Sequence, residues 1–297
     1  MKVNAIIIGA GRSGTTSIYE YMAAHPEVNF SITKELHYFS IDDLYNRGEK
    51  YFHSLFDQNN KNIIATADTY LLMDKKAPAR IKAYNPDMKI IVMMREPVAR
   101  AYSNYNYSIN YGHEDKNISF YKSILLEPER LKSDDIVELN NLCHCYGSLY
   151  FHHLKFWGQY FPVENLILLK LADLKKDPDK FYEQLSEKLK IAYIPFEQAH
   201  TKFNAVSGVK SKWFQQLLLN RNSVIRKVFS FVLRPFRKII IKSGIIDKMY
   251  AINKKQIKSA PISEDALQLA TSYFDQDLKM LKLTYGISFE DEPISSK

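Results

Sequence analysis

The amino-acid sequence predicts an α/β protein with a three-layer fold, in which a central parallel sheet is flanked by helices. Short β-branched and apolar runs, typical of strands buried on both faces, alternate along the chain with longer amphipathic segments. Strands that alternate with helices are joined by crossover connections, which make the strands parallel. The sequence contains no internal repeat and no flexible linker, so we expect a single domain over residues 1–297.

The spacing of apolar residues places the individual elements. Strands are predicted at residues 3–8, 88–94 and 165–170, with a weaker one at 62–66. An amphipathic helix follows the first strand and ends at Pro26. Further helices are predicted over residues 100–111, 147–160 and 178–189.

The C-terminal region contains one more predicted helix. Ser263 is the expected N-cap, because its hydroxyl can accept from an unpaired amide and because Glu264 and Asp265 follow in the first turn. The apolar face of this helix is expected to comprise Leu267, Ala270, Phe274, Leu278 and Leu281.

Composition excludes several classes of protein. The chain is 46% hydrophobic and 25% charged with only 10 Gly and 11 Pro, which excludes disordered, collagen-like and low-complexity proteins. No apolar stretch approaches the roughly 18 residues of a membrane span, and the first residues lack a signal-peptide pattern. Two cysteines cannot form a disulfide framework. We therefore expect a soluble, cytoplasmic protein.

The run Cys143-His144-Cys145 could suggest a metal site. Three potential ligands in a row cannot by themselves complete a tetrahedral zinc site, and the sequence has no second pair of cysteines. We expect these residues to be structural, and we expect no metal.

Positive charge is concentrated in one segment. Residues 210–258 contain 13 Lys and Arg and one Asp, a net charge of +12, whereas the whole chain carries +8. The remainder therefore nets −4. We expect a basic helical excursion at about 210–258, which could be a solvated face, a clamp for an anionic acceptor or a contact with the inner membrane surface.

The most informative segment directly follows the first strand. It reads Gly9-Ala10-Gly11-Arg12-Ser13-Gly14-Thr15-Thr16 and leads into a helix. A strand, a glycine-rich turn and a helix N-terminus form an anion site, because backbone amides without helical partners converge there and the helix dipole adds positive charge. Contacts to the anion are predicted from Gly11, Arg12, Ser13, Gly14, Thr15 and Thr16.

Two familiar phosphate-binding motifs do not describe this loop. Thr15 stands where a Walker A motif requires Lys. Gly9, Gly11 and Gly14 match the spacing of a dinucleotide fingerprint, but no acidic residue follows about twenty residues later.

The segment Arg12-Ser13-Gly14-Thr15-Thr16 resembles the 5′-phosphosulfate loop of sulfotransferases that use 3′-phosphoadenylyl sulfate (PAPS). Residues 90–103 resemble the 3′-phosphate element of the same family, in which Arg95 at the strand end and Ser103 eight residues later hold the 3′-phosphate. The resemblance implies a P-loop-type fold. Arg95 lies at the carboxyl end of a predicted parallel strand, which is the edge where open α/β sheets bind ligands.

Lys34-Glu35-Leu36-His37-Tyr38-Phe39 is similar to a signature of the carbohydrate sulfotransferases typified by the heparan sulfate N- and 3-O-enzymes and their bacterial relatives. Two departures stand out. Arg12 replaces a Lys found in many members, and residues 65–70 replace a Gly-Glu-x-Ser/Thr-Pro-x-Tyr segment.

The resemblance implies roles for individual residues. Glu35 is the expected general base and His37 the competing one, while Arg12 is expected to stabilise the leaving phosphate. Lys210 falls in a segment similar to a loop that covers the nucleotide. Arg100 is interpreted as a salt-bridging helix residue.

The resulting hypothesis is a PAPS-dependent sulfotransferase that modifies a carbohydrate or glycolipid, produces adenosine 3′,5′-bisphosphate (PAP) and requires no metal. We expect no nucleic-acid partner, and the oligomeric state stays open. The alternatives are a P-loop kinase or NTPase, and a non-catalytic nucleotide-binding protein of the membrane surface. The kinase would require a Walker Lys and a strand-end Asp for Mg²⁺, where the sequence has Thr15 and Arg95.

Overall fold

The computed structural model describes residues 2–57, 59, 61–196, 207–209, 254–256, 260–292 and 294. The strands are β1 (Ala5–Gly9), β2 (Val28–Phe30), β3 (Ile63–Ala67), β4 (Lys89–Met94), β5 (Leu166–Lys170), β6 (Ser207–Val209) and β7 (Lys254–Gln256). The described helices are α1 (Thr15–Ala24), α2 (Asp42–Tyr45), α3 (Gly48–His53), α4 (Ala77–Tyr84), α5 (Pro97–Tyr111), α6 (Phe120–Arg130), α7 (Ile136–Leu142), α8 (Tyr150–Trp157), α9 (Leu171–Lys176), α10 (Pro178–Leu189) and α11 (Glu264–Tyr285). Three-residue 3₁₀ turns lie at Leu71–Met73, Tyr146–Ser148 and Val163–Asn165.

The first five strands form one sheet in the order β2-β3-β1-β4-β5, and every neighbouring pair is parallel. The strands are short and mainly apolar, and β1 is buried along its whole length. Such strands suit a sheet that is covered on both faces. The predicted central parallel sheet is confirmed.

Alternation along the strands creates two separate cores. Ile6 and Ile8 face one core together with Ile90, while Ile7 and Ile91 face the other. Apolar side chains of α4, α8 and α11 cover the first face, and those of α1 and α10 cover the second. Helix, sheet and helix therefore form three layers, as predicted.

The topology brings two loops together at one edge of the sheet. β1 and β4 are neighbours, with Ile7 paired to Ile91, but the chain leaves β1 towards β3 and β2 and leaves β4 towards β5. Ligands of open α/β sheets bind at the carboxyl ends of strands where the strand order reverses. The loops that follow β1 and β4 meet at this point.

Three local expectations need correction or restriction. Residues 147–160 do not form one helix, because the 3₁₀ turn Tyr146–Ser148 ends at Leu149, whose ψ of 78° interrupts the helical path before α8. Ser263 is the residue before α11, but its side chain makes no capping hydrogen bond. Of the predicted helical excursion at about 210–258 the structure describes only Lys254–Gln256, a strand paired antiparallel with β6; the rest lies outside the described residues.

No helix in the described part of the chain is long and apolar enough to cross a membrane.

The N-terminus of α8 is capped from a distant helix. Asp277 of α11 is buried, and its carboxylate accepts from Phe151 N at 3.0 Å and from His152 N at 2.8 Å. A carboxylate at a helix N-terminus satisfies unpaired amides and interacts favourably with the helix dipole. Asp277 therefore fastens α11 to α8 and completes one outer layer.

We expect Asp277→Ala to lower the free energy of unfolding by about 1–2 kcal/mol, because two amides of α8 lose a charged acceptor. Urea denaturation followed by circular dichroism measures this change. Asp275→Ala, which alters an exposed carboxylate of the same helix, serves as the control and should change the free energy by less than about 0.5 kcal/mol. Equal effects of the two substitutions would contradict the capping role.

Candidate functional site

The loop between β1 and α1 has the form of an anion site. Gly14, the residue before α1, has a left-handed φ of 89° and no side chain that could cap the first amides of the helix. Space also requires glycine there, since a Cβ would lie 2.8 Å from Leu171 Cδ1. Ser17 N in the first turn donates to Gly14 O at 3.0 Å, so the amides of Thr15 and Thr16 are the ones left to an anion.

Three hydrogen bonds hold this loop from its inner side. Ala10 N donates to Met93 O of β4 at 2.8 Å, Arg95 Nη1 donates to Arg12 O at 3.4 Å, and Arg100 Nε donates to Gly11 O at 3.0 Å. The interpretation of Arg100 as a salt-bridging residue is wrong. Arg100 is 2% exposed, and within the described part of the chain it forms no ion pair, because carbonyl and hydroxyl oxygens take up its donors.

The two predicted phosphate elements lie side by side. Arg95 follows the last residue of β4, and Ser103 lies in the second turn of α5, as the sequence predicts. Arg12 Nε donates to Ser103 Oγ at 3.3 Å, and its guanidinium carbon lies 5.1 Å from the centre of the Tyr107 ring. The side chain of Arg12 therefore extends from the first loop to the second element.

The arginines at this edge form no direct ion pair with a described residue, and Glu96 and Glu292 attract Arg95 only from a greater distance. Among the described residues no carboxylate lies within 4 Å of the Arg12, Arg95 or Arg100 guanidinium. Burial lowers the pKa of all three groups, and the charge of Arg12 lowers the pKa of Arg95 and Arg100 further. An anion bound between Arg12 and Arg95 would relieve both effects.

Lys34 adds a cation to the same loop. Its Nζ donates to Thr15 Oγ1 at 3.0 Å and to Thr16 Oγ1 at 3.3 Å. It also lies 3.4 Å from Glu35 Oε1. Lys34 was not assigned a role from the sequence, because only the fold brings the segment after β2 onto the start of α1.

Glu35 is held in a defined position beside the loop. Its backbone has a left-handed φ of 60°, and its amide donates to Ala67 O at 2.8 Å. Its Oε2 accepts from Thr69 N at 2.7 Å and from Thr69 Oγ1 at 3.1 Å. The carboxylate is therefore fixed between the end of β3 and the ammonium group of Lys34.

His37 is paired with a buried carboxylate. Its Nδ1 lies 3.0 Å from Asp68 Oδ1, and the other oxygen of Asp68 accepts from Ser40 Oγ at 2.7 Å. The His37 ring lies 4.5 Å from the ring of Tyr70, centre to centre. Neither Asp68 nor Thr69 was assigned a role, because the resemblance to the family breaks down over residues 65–70.

Potential metal-ligand atoms of Glu35, His37 and Asp68 lie within 4.8 Å of one another. These atoms already have protein partners, since Asp68 is bonded to His37 and Ser40 and Glu35 is bonded to Thr69. Described residues of the protein therefore already provide hydrogen-bond partners for the carboxylates of Glu35 and Asp68.

A cavity of about 300 Å³ opens next to Arg95. Cationic groups of Arg95, Lys175 and Lys176 line it together with apolar atoms of α5 and α9 and with Glu96 and Glu292. Three cationic and two acidic residues line the cavity, so its lining carries a small excess of positive charge.

Lys210, the remaining predicted nucleotide contact, lies outside the described residues. The strand that precedes it, β6, packs against α5, the helix that carries Ser103.

The Cys143-His144-Cys145 run is buried. Burial raises the pKa of Cys143 to about 12, so this thiol stays protonated. The His144 ring shares a hydrogen bond of 3.0 Å with the side-chain amide of Asn104. This environment agrees with the structural role expected from the sequence.

Comparison with known proteins identifies a family whose sequence pattern this chain matches. A family model described as a sulfotransferase domain matches residues 2–230. Heparan sulfate glucosamine 3-O-sulfotransferase 3B1 of Mus musculus is 29% identical over 205 residues, which cover 69% of this chain and 50% of that protein. Heparan sulfate glucosamine 3-O-sulfotransferase 5 of Homo sapiens is 30% identical over 208 residues, which cover 69% and 58%. The chain spans about half the length of these curated relatives.

A crystal structure of a sulfotransferase from Alicyclobacillus acidocaldarius has the same fold, with a TM-score of 0.58 at 24% identity over 69% of this chain and 87% of that one. The loop after β1 and the arginine after β4 both fall within the matched residues 2–230. The family model matches more than half of this chain, and the chain therefore belongs to the sulfotransferase domain family.

Proposed function

We propose that this protein is an enzyme that transfers the sulfuryl group of PAPS to a hydroxyl or amine of a carbohydrate or glycolipid acceptor. The single observation that carries the proposal is the pair Arg12 and Arg95, two cations without a carboxylate partner in the described part of the chain, beside a loop of helix-start amides. A nucleotide with phosphate groups at both its 5′ and 3′ positions supplies the missing negative charge at two points.

The 5′-phosphosulfate would bind to the amides of Gly11, Arg12, Gly14, Thr15 and Thr16 and to the hydroxyls of Thr15 and Thr16. The amide of Ser13 already donates to Ala10 O at 3.2 Å. The 3′-phosphate would bind to Arg95 and Ser103, and Arg12, which already contacts Ser103, lies between the two ends. The cavity beside Arg95 offers space for neighbouring parts of the nucleotide. A role for Lys210 in covering the nucleotide stays a prediction.

In the reaction, the acceptor oxygen or nitrogen forms a bond to sulfur while the bond between sulfur and the 5′-phosphate oxygen breaks. The acceptor loses one proton, and the phosphate oxygen gains the electron pair of the broken bond. Catalysis of such transfers depends mainly on positioning and on stabilisation of the charge on the leaving oxygen. A sulfuryl group carries less negative charge than a phosphoryl group, so protein cations suffice for a task that phosphoryl-transfer enzymes assign to Mg²⁺.

Lys34 is a second candidate, beside Arg12, for stabilising the leaving phosphate. Lys34 Nζ is bonded to both threonine hydroxyls at the start of α1, whereas the guanidinium of Arg12 is turned towards Ser103. We therefore assign Lys34 a share of the role that the sequence suggested for Arg12 alone.

Glu35 is the proposed general base. Its carboxylate lies beside Lys34, which contacts the phosphate loop, and the hydrogen bonds from Thr69 fix its position. A base fixed in this way can accept the acceptor proton as the new bond forms. His37 is the second candidate, because Asp68 orients its ring in the manner of an Asp-His pair.

The proposal of a carbohydrate acceptor rests on the relatives, whose names specify heparan sulfate glucosamine. Aromatic rings near the base support it. Tyr70 lies against His37, and Tyr107 lies against Arg12 and stacks on Tyr111 with 4.2 Å between ring centres. Planar aromatic faces provide apolar contact area for a sugar ring. Cytoplasmic location and a membrane contact through residues 210–258 stay predictions.

The experiment that tests the function is incubation of the purified protein with radiolabelled PAPS and a panel of glycans and glycolipids. We expect label in at least one acceptor, at an equal rate with and without EDTA, since no step of the proposed reaction uses a metal. A polyphosphate nucleotide such as ATP, labelled on its γ-phosphate, is the matched alternative donor. Transfer from ATP but not from PAPS would replace the proposal with the kinase alternative.

We expect Arg95→Ala to weaken binding of PAP by about 10- to 100-fold, because a charge-assisted contact to the 3′-phosphate is lost. Binding of adenosine 5′-phosphate, which lacks that group, should change by less than about threefold. Isothermal titration calorimetry measures both affinities. Arg47→Ala, which removes an exposed arginine in another part of the chain, is the control. Equal losses for the two nucleotides would refute the assignment of Arg95.

We expect Glu35→Gln to reduce turnover by about 10²- to 10⁴-fold and to leave PAP affinity within a few-fold, because the variant keeps the shape of the side chain but cannot take up the proton. Initial rates with the acceptor found in the panel give the comparison. Glu183→Gln, at an exposed position of α10, controls for the loss of one carboxylate. Retained turnover in Glu35→Gln, together with its loss in His37→Gln, would assign the base to His37.

A further inference from the structure

Arg100 is a buried cation whose described hydrogen-bond acceptors are all uncharged. Its Nε donates to Gly11 O at 3.0 Å, and its Nη1 donates to His144 O at 3.0 Å and to Ser148 Oγ at 3.1 Å. A buried guanidinium is costly to desolvate, so its retention at this position suggests a specific task. The contact with Gly11 connects that task to the phosphate loop.

The surroundings of Arg100 fix where its guanidinium lies. The 3₁₀ turn Tyr146–Ser148 packs directly against it, and a Cβ on Gly147 would come within 2.7 Å of Arg100 Nη1 and 2.9 Å of Met73 Sδ. Fully buried Glu127 supports the turn from below, because its carboxylate accepts from Cys145 N at 2.6 Å and from Tyr146 N at 2.8 Å. A chain of direct contacts thus runs from α6 through the turn and Arg100 to Gly11.

The bond to Gly11 determines which way one amide of the phosphate loop points. The peptide between Gly11 and Arg12 is trans, so its carbonyl and its N–H point in opposite directions. Because Arg100 holds the Gly11 carbonyl towards the interior, the Arg12 N–H is turned to the opposite side. Preorganised amides of this kind bind an anion without a reorganisation cost at the moment of binding.

We propose that Arg100 is a positioning residue, which orients the amide of Arg12 by its hydrogen bond to Gly11 O and thereby sets the affinity of the loop for the 5′-phosphate group. The inference rests on the proposed function, since it takes the ligand to be an adenine nucleotide. The roles of the two arginines differ: Arg95, which also donates to Arg12 O, is assigned a direct contact with the ligand, whereas Arg100 acts only through the loop.

The experiment uses the full chain and two simple probes, adenosine 5′-phosphate and adenosine 3′-phosphate, in calorimetric titrations. Gly147→Ala keeps the charge of Arg100 but displaces its guanidinium. We expect it to weaken binding of the 5′-phosphate by about tenfold or more and binding of the 3′-phosphate by less than about threefold. Arg100→Lys, which lacks the Nε donor, should show the same selectivity. Ser148→Ala removes one acceptor of Nη1 and leaves Gly11 bonded, so its effect should be smaller.

Gly158→Ala, at the end of α8, controls for an added methyl group and should leave both affinities unchanged. Urea denaturation of each variant measures stability separately. Reduced stability without a change in the ratio of the two affinities would mean that Arg100 is structural, and the inference would be overturned. If Arg100→Lys does not fold, Gly147→Ala decides the question alone. A wild-type protein that binds neither nucleotide would refute the proposed function, a result distinct from unselective losses in the variants.

Discussion

The structure depends on holding two guanidinium groups close together at the edge of a parallel sheet, without a direct ion-pair partner in the described part of the chain. Arg12 and Arg95 come from loops after two adjacent strands, and the charge of one lowers the pKa of the other. Stable proteins avoid such pairs unless the surrounding fold imposes them. Here the neighbouring positions of β1 and β4 impose the pair, and the bond from Arg95 to the Arg12 carbonyl keeps the two loops in one arrangement. An anion bound between the two guanidinium groups would offset this repulsion.

The backbone beside this site is also strained. Glu35 and His37 both have left-handed backbone conformations, which for non-glycine residues cost about 1–3 kcal/mol each and persist only where the surroundings enforce them. The enforcing contacts come from the end of β3, where Thr69 holds Glu35 and Asp68 holds His37. The strained backbone of Glu35 and His37 and the neighbouring cations Arg12 and Arg95 are therefore both held in place by residues at the ends of the central strands.

Sequence patterns were sufficient to locate those candidate site residues that lie at the end of a strand or the start of a helix. Apolar periodicity predicted the strand ends at which the glycine-rich loop and Arg95 lie, whereas Ser103 was singled out by the resemblance to the sulfotransferase family. Lys34 and Asp68 received no role from the sequence and Arg100 received a wrong one, because the contacts described above join residues 18 to 89 positions apart that only packing brings together. The predicted helix over residues 147–160 was too long for a related reason. The turn at its start packs against the Arg100 guanidinium, and the spacing of apolar residues does not predict such a tertiary contact.

The cap on α8 has a consequence for the order in which the protein can be completed. The acceptor of the Phe151 amide lies 126 residues further along the chain, on α11. During synthesis, α8 leaves the ribosome long before Asp277 exists. One outer layer can therefore reach its final hydrogen bonding only after the chain has been made as far as α11, and a fragment that stops before α11 would contain every residue of the phosphate loop yet lack this cap.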